Sequence, residues 1–342
     1  MSEASKPAQQ NLAFITCIER GSLEEQSLLL YQSIRQFGGR FRDSPIYAYC
    51  PRADRGVTPA TSAAMEKLNV VYRDAPLNRE LDYFAYANKN FAAADVERTS
   101  SHETLVFLDS DTIFLREPQL LELPENVDVR VRPVDEKGIC SSGPNDPFED
   151  YWHELARLCH VNLTELPFVN ATVRGIPVRA NYNGGLVSVR SGVGIFSRWQ
   201  ENILAAHHAD LRPREKSFWG SGQSTLAMAI HAATSRIELL PTSYNYPLHR
   251  HDELVGERQV GASRDLTHLH YHKMLEPSRW PRCALAQQEF EWEPELRDWL
   301  FAKVPLAEKS PPIDHGVRPS KPAKARSSGW RSRIRQLLSR PA

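Results

Sequence analysis

Two carboxylates separated by one residue, Asp109 and Asp111, follow the apolar run Val106-Phe107-Leu108 and precede another, Ile113-Phe114-Leu115. If the chain turns there, both can aim at one small volume. Hard divalent cations favour such oxygen ligands, with phosphate oxygens commonly completing the shell. The apolar frame argues against a solvated turn of ordinary acids. Far downstream His268, His270 and His272 alternate, so an extended strand would carry all three on one face, as a metal site of their own or as a polar strand edge. Between the two sets stands Tyr182-Asn183-Gly184-Gly185-Leu186. Its glycines permit close backbone approach to a ligand, and a bulged core strand would read the same way.

The elements around these residues follow from the hydrophobic pattern. Residues 12–18 form a short run of branched and aromatic side chains, which suits a strand covered on both faces, and 46–50, 69–72 and 104–108 are further strands. The last runs straight into Asp109. Helices fall between them. Ser22 with Glu25 gives a capping box and Gly38-Gly39 a stop, Thr58-Pro59 opens a helix to residue 68, and 83–96 carries another. Strands alternating with helices imply a parallel sheet, and ligands of such sheets sit beyond the carboxyl ends of the strands, where the acidic pair falls. The second half is less regular. It has helices near 148–159, 195–207 and 222–232, a strand around 182–189, and short strands at 237–240 and 266–271.

Lys+Arg and Asp+Glu both total 42, so no overall field gathers nucleic acid, and none is expected as a partner. The five cysteines are scattered, odd in number and free of CxxC spacing, which argues against a disulfide framework and favours a reducing compartment. Residues 1–10 are polar and read as disordered. The apolar run behind them is too short for a signal peptide, and no stretch approaches the ~18 apolar residues of a membrane span, so a cytoplasmic protein is expected. From about Lys303 the composition turns to Pro, Ser, Lys and Arg, and from Gly316 onward there is no acidic residue. Trp330, Ile334, Leu337 and Leu338 would give a short helix over 329–340 an apolar stripe opposite its arginines. An anionic membrane surface on the inner face is therefore an expected partner of the segment 303–342.

Taken together and in order, residues 106–115, Tyr182 to Val187 and His268 to His272 resemble the retaining glycosyltransferases of family 8 and their GT-A relatives, over about residues 12–280. The resemblance implies an α/β fold: one GT-A, Rossmann-like mixed sheet with helices on both faces, spanning 11–302, with a flexible basic tail. Residues 11–115 would be the nucleotide-binding half and 116–302 the sugar and acceptor half. It implies a nucleotide-sugar donor, UDP above all, a Mn or Mg ion, and a glycan, lipid or protein acceptor. Asp109 and Asp111 match the family's DxD, the first also able to reach the donor's ribose or sugar. His270 matches the histidine that completes the metal site, with His268 and His272 as alternatives. Asn183, Gly184 and Gly185 would line the donor sugar, and Thr16, Cys17, Ser110 and Lys273 are assigned to the donor as well. Lys89 stands where the family usually has an Arg, keeping the charge and losing the bidentate fork. Gln223 would stabilise the reacting face, with Asn183 and Lys89 completing the catalytic set.

Two departures stand out. An Asp-Gln pair is common in the family, and here Gly222 precedes Gln223; the late Lys-Pro-Trp is spread over Lys273, Pro277 and Trp280. Retention follows from the resemblance, whereas inversion would need a carboxylate base that the sequence does not locate. Two other readings compete. A phosphohydrolase of the haloacid-dehalogenase type also places Asp-x-Asp after a hydrophobic strand, but expects a Thr where Ile113 stands. A non-catalytic nucleotide-sugar or carbohydrate binder is the third.

Overall fold

The computed structural model describes residues 11–307. The apolar runs become strands because their alternate side chains are hidden on opposite faces of one sheet. The first half is β1 (Leu12–Cys17), α1 (Ser22–Phe37), β2 (Ile46–Cys50), α2 (Pro59–Lys67), β3 (Val70–Asp74), α3 (Asn88–Thr99) and β4 (Thr104–Leu108). There follow β5 (Thr112–Phe114), β6 (Val129–Pro133), α4 (Glu149–Leu158), β7 (Phe168–Asn170), β8 (Pro177–Arg179) and β9 (Tyr182–Arg190). The remainder is α5 (Ile195–His208), α6 (Ser221–Ala233), β10 (Ile237–Leu239), β11 (Tyr246–Pro247), β12 (His268–His270) and α7 (Pro294–Phe301).

Seven strands form the central sheet in the order β10-β6-β9-β4-β1-β2-β3. Strands β1 to β4 pair in parallel, as the strand–helix alternation implies, and β9 makes the sheet mixed by running antiparallel to both β4 and β6. Ala13 and Ile15 face a core shared with α3, α4, α5 and α6, whereas Leu12 and Phe14 face one shared with α1 and α2. A second sheet, β11-β12-β5, sets β12 antiparallel to β5 with His270 opposite Thr112. This pairing carries the late histidines to the acidic turn.

Several boundaries differ from the sequence reading. Only half of a capping box forms, one residue early: Gly21, at φ +109, is the N-cap and has no side chain to accept, and Glu24 accepts its N–H at 2.9 Å. Glu24 also accepts from the Thr58 N–H and hydroxyl, so it ties α1 to the start of α2, a demand the local motif does not contain. The helix expected from residue 83 begins at Asn88, after a 3-10 turn. Strand β6 was not anticipated, because Arg130 and Arg132 interrupt its valines; yet Arg132 is 1% exposed. Packing continues past residue 303, since Leu306 is buried and donates its N–H to the Leu275 carbonyl. Residues 1–10, expected to be disordered, and nearly all of the basic tail, with the helix expected over 329–340, lie outside the described residues. Among those described, no helix is long and apolar enough to cross a membrane.

Phe107 lies buried on β4 with Trp199 edge-on to it, ring centroids 6.2 Å apart. Phe107→Ala should cost about 3–5 kcal/mol in urea unfolding, as expected for an aromatic cavity that cannot collapse. A loss below about 1 kcal/mol would contradict this packing.

Candidate active site

Asp109, Ser110 and Asp111 form the turn between β4 and β5, and main-chain bonds from two other strands fix it. The Asp109 N–H donates to the Gly185 carbonyl of β9 at 2.9 Å, and the Tyr271 N–H, just past β12, donates to the Asp111 carbonyl at 3.1 Å. The buried Thr112 hydroxyl donates to the Asp109 carbonyl at 2.7 Å. A strand end, a glycine pair and a histidine segment distant in sequence thus share one locus.

The two carboxylates have different neighbours. Lys89, in the first turn of α3, donates Nζ to Asp109 Oδ1 at 2.6 Å and to the Gly184 carbonyl at 3.4 Å. Asp111 faces imidazoles: His270 Nε2 lies 3.3 Å from its Oδ1 and His272 Nδ1 lies 3.7 Å from its Oδ2. Asp111, His270 and His272 each present a ligand atom within 4.8 Å of the others. Burial, reinforced by His270, holds the His272 imidazole well below its ordinary pKa, so it is neutral and keeps a lone pair. Among the described residues no hydrogen bond satisfies His270 Nδ1 or His272 Nε2. A carboxylate with two imidazole nitrogens is a donor set that fits a divalent transition-metal ion.

The expected one-face array of three histidines is corrected. Strand β12 ends at His270, and His272 adopts φ +50, a turn that stacks its ring on His270 at 3.9 Å. His268 is fully buried, packs against Phe114 and accepts the Asn245 N–H at 3.2 Å, so it stands apart from the acidic turn. Gly185 has a specific reason to be glycine: a Cβ there would meet the His270 ring at 2.6 Å. What approaches this backbone is the histidine. Gly184 is less crowded, its nearest neighbour being Lys89 Nζ at 3.7 Å.

A third carboxylate, Asp135, was missed by the sequence reading. It follows β6, takes a hydrogen bond from buried Arg132, and accepts from Asn183 Nδ2 at 3.2 Å. Burial would raise its pKa, but the Arg132 guanidinium outweighs this and holds it below the ordinary carboxylate range. Asp135 also groups with His249 and His272. Arg132 already supplies its positive charge, which disfavours a second cation there. His249, edge-on to His272 at 4.1 Å, was likewise missed. A signal was present for His249 alone: His249-Arg250-His251 repeats the alternating pattern of the later histidines.

The remaining expected residues are placed unevenly. Thr16 is fully buried with its hydroxyl 2.7 Å from the Tyr31 hydroxyl, leaving no surface for a donor. Cys17 is partly exposed beside Lys89 and Asp109, and burial raises its thiol pKa well above the ordinary value. Ser110 is largely buried in the turn, and Lys273 is exposed just beyond His272. The Asn183 amide is engaged at both ends, since Oδ1 accepts the Gly185 N–H at 2.9 Å. Gln223 lies in the first turn of α6, beside Gly222, whose carbonyl accepts Trp199 Nε1 at 2.7 Å.

Residues 14–234 match a family model described as the Rhodobacterales glycosyltransferase domain. No curated protein matches the sequence. Three solved structures are similar in shape. The apo bifunctional glycosyltransferase WbbM is 14% identical with a TM-score of 0.49, covering 81% of this chain and 49% of that one, so the chain spans about half its length. Mouse xyloside xylosyltransferase 1 is 11% identical with a TM-score of 0.42, covering 76% and 97%. The galactosyltransferase LgtC, solved with donor and acceptor sugar analogs, is 10% identical with a TM-score of 0.46, covering 85% and 96%.

The two glycines give a paired expectation. Gly185→Ala pushes the His270 ring and should weaken Mn binding, measured by calorimetry, by about tenfold or more. Gly184→Ala makes only ordinary contacts and should change it by less than about twofold. Equal effects would show that His270 is not held by this contact.

Proposed function

Since the chain belongs to the Rhodobacterales glycosyltransferase domain family, which it matches over residues 14–234, we propose that it transfers a hexose from a UDP-sugar to a glycan, lipid or protein acceptor, with a Mn or Mg ion at Asp111. The observation that carries this reading is the convergence of Asp111, His270 and His272 beside the Lys89–Asp109 pair. Asp111, His270 and His272 would hold the ion, with Asp109 contributing through its second oxygen or reaching the donor's ribose. When bound, such an ion supplies Lewis-acid charge against a departing diphosphate.

The chain's own groups divide the rest of the work. Lys89 is a partly buried ammonium that Asp109 and the Gly184 carbonyl aim at the same volume, and it offers positive charge to a phosphate oxygen. Asp135 is kept ionised by Arg132 and oriented by Asn183, which suits it to accept a hydrogen bond from a sugar hydroxyl. Asn183 acts by positioning, because both ends of its amide are engaged. Gln223 offers a neutral amide to the reacting sugar, and the Trp199 bond to Gly222 fixes the turn that carries it. Family membership displaces the phosphohydrolase reading.

Two outcomes check the proposal. Purified chain stripped with EDTA should release no UDP from UDP-sugars, Mn should restore release, and Asp111→Asn should lower turnover by about 100-fold or more, the loss of several kcal/mol of charge stabilisation. Full turnover in EDTA would contradict the metal, and stabilisation by UDP-sugar without release of UDP would mark a binder. The second outcome concerns stereochemistry: an α-linked donor should yield an α-linked product, read from the anomeric proton coupling. A β-linked product would replace retention with inversion.

A further inference from the structure

Of the large apolar side chains that stand exposed among the described residues, three are aromatic: Tyr86 at 47%, Phe168 at 50% and Trp219 at 49%. Two of them sit on the segments that border the site. Tyr86 belongs to the 3-10 turn Ala85–Ala87, directly ahead of α3 and three residues before Lys89. Trp219 ends the loop before α6, where Gly220, at φ +90, turns the chain into the helix that carries Gln223.

One buried aromatic cluster packs on Tyr86 and includes Phe218, the chain neighbour of Trp219. Phe84 packs on Tyr86 at a centroid distance of 5.6 Å, on His207 at 4.8 Å and on Phe218 at 6.2 Å, and His207 stacks on Phe218 at 3.8 Å. Tyr83 adds a hydrogen bond to His207 at 3.0 Å. These contacts hold the two segments side by side, so that each presents its neighbouring exposed ring from a rigid base. The Arg214 guanidinium lies 5.3 Å from the centre of the Trp219 ring, a cation–π contact that restrains the indole. Arg214, Glu215 and Lys216 are exposed and give the rim hydrogen-bonding groups of both kinds.

Large rings held in water on a rigid base suit a ligand that is apolar on one face and polar at its edge. A pyranose ring has this character, with C–H bonds on its face and hydroxyls around it. We propose that Trp219 and Tyr86 form a stacking platform for the acceptor, a sugar ring set down between the segments that carry Lys89 and Gln223. The assignment of this sugar as acceptor rests on the glycosyltransferase reading of the site; the platform itself is tested separately from it.

The test uses the full chain labelled with 5-fluorotryptophan, its Trp219 resonance assigned by its loss in Trp219→Phe. Fluorine NMR follows that resonance during titration with the methyl glycosides of glucose, galactose, mannose and N-acetylglucosamine, and UDP with Mn is titrated in parallel. At least one glycoside should shift it saturably. Trp219→Ala and Tyr86→Ala should each weaken that glycoside, measured by saturation-transfer NMR, by about tenfold or more. UDP affinity should stay within about twofold in both variants, and Phe168→Ala should leave the glycoside unaffected. A Trp219 resonance unmoved by all four glycosides while UDP binds overturns the platform, as does unchanged glycoside affinity in Trp219→Ala. A glycoside shift in a chain that binds no UDP supports the platform and counts against the donor reading instead.

Discussion

Three carboxylates, Asp109, Asp111 and Asp135, stand near the carboxyl edge of one sheet, and gathering like charges partly out of water carries a cost that only neighbouring groups can offset. The offsets differ in chemistry. Asp109 meets the Lys89 ammonium and Asp135 meets the buried Arg132 guanidinium. Asp111 meets two imidazoles, one of them held neutral by burial. A carboxylate beside imidazole nitrogens suits an added divalent ion, whereas a carboxylate under a guanidinium does not. On the proposed reading the three acids take three roles: Asp109 anchors the Lys89 ammonium, Asp111 is a metal ligand, and Asp135 is a fixed acceptor for hydroxyl groups.

That division depends on backbone positions set elsewhere. Pairing of β12 with β5 carries His270 to the acidic turn, and the Asp109 N–H bond to Gly185 fixes the turn against β9. Trp199 couples the other side, since its indole reaches the Gly222 carbonyl while its ring edge meets Phe107 and lies under Gly184. The Asp109 and Gly184 side of the site is therefore tied to the helix that holds Gln223 through packed side chains and not through a loop. The exposed aromatic pair belongs to the same construction, since its buried base is built from the segments flanking α3 and α6.

Much of this was legible from the sequence, and the failures have physical causes. Asp109 and Asp111 stood out because an uninterrupted apolar strand ended at them, and the first four strands followed from the same signal. Strand β6 did not show, because its arginines read as solvent-facing; what buries Arg132 is Asp135, a partner that tertiary structure supplies and residue pattern cannot. Missing that strand concealed Asp135. The three-histidine array failed because the strand ends at His270 and the chain turns left-handed at His272, whose ring still stacks on His270, while His268 is buried against Phe114. Gly185 was readable as a place of close approach, but the body that approaches is the His270 ring.

The central claim, that Asp111, His270 and His272 form the cation site, is tested most directly by spin-echo EPR of Mn(II) titrated into the full chain. The account predicts a bound ion whose echo modulation carries nitrogen couplings from two histidines, falling to one in His272→Ala and persisting in His268→Ala. A bound ion with no histidine nitrogen couplings, or couplings lost on replacing His268, would contradict it.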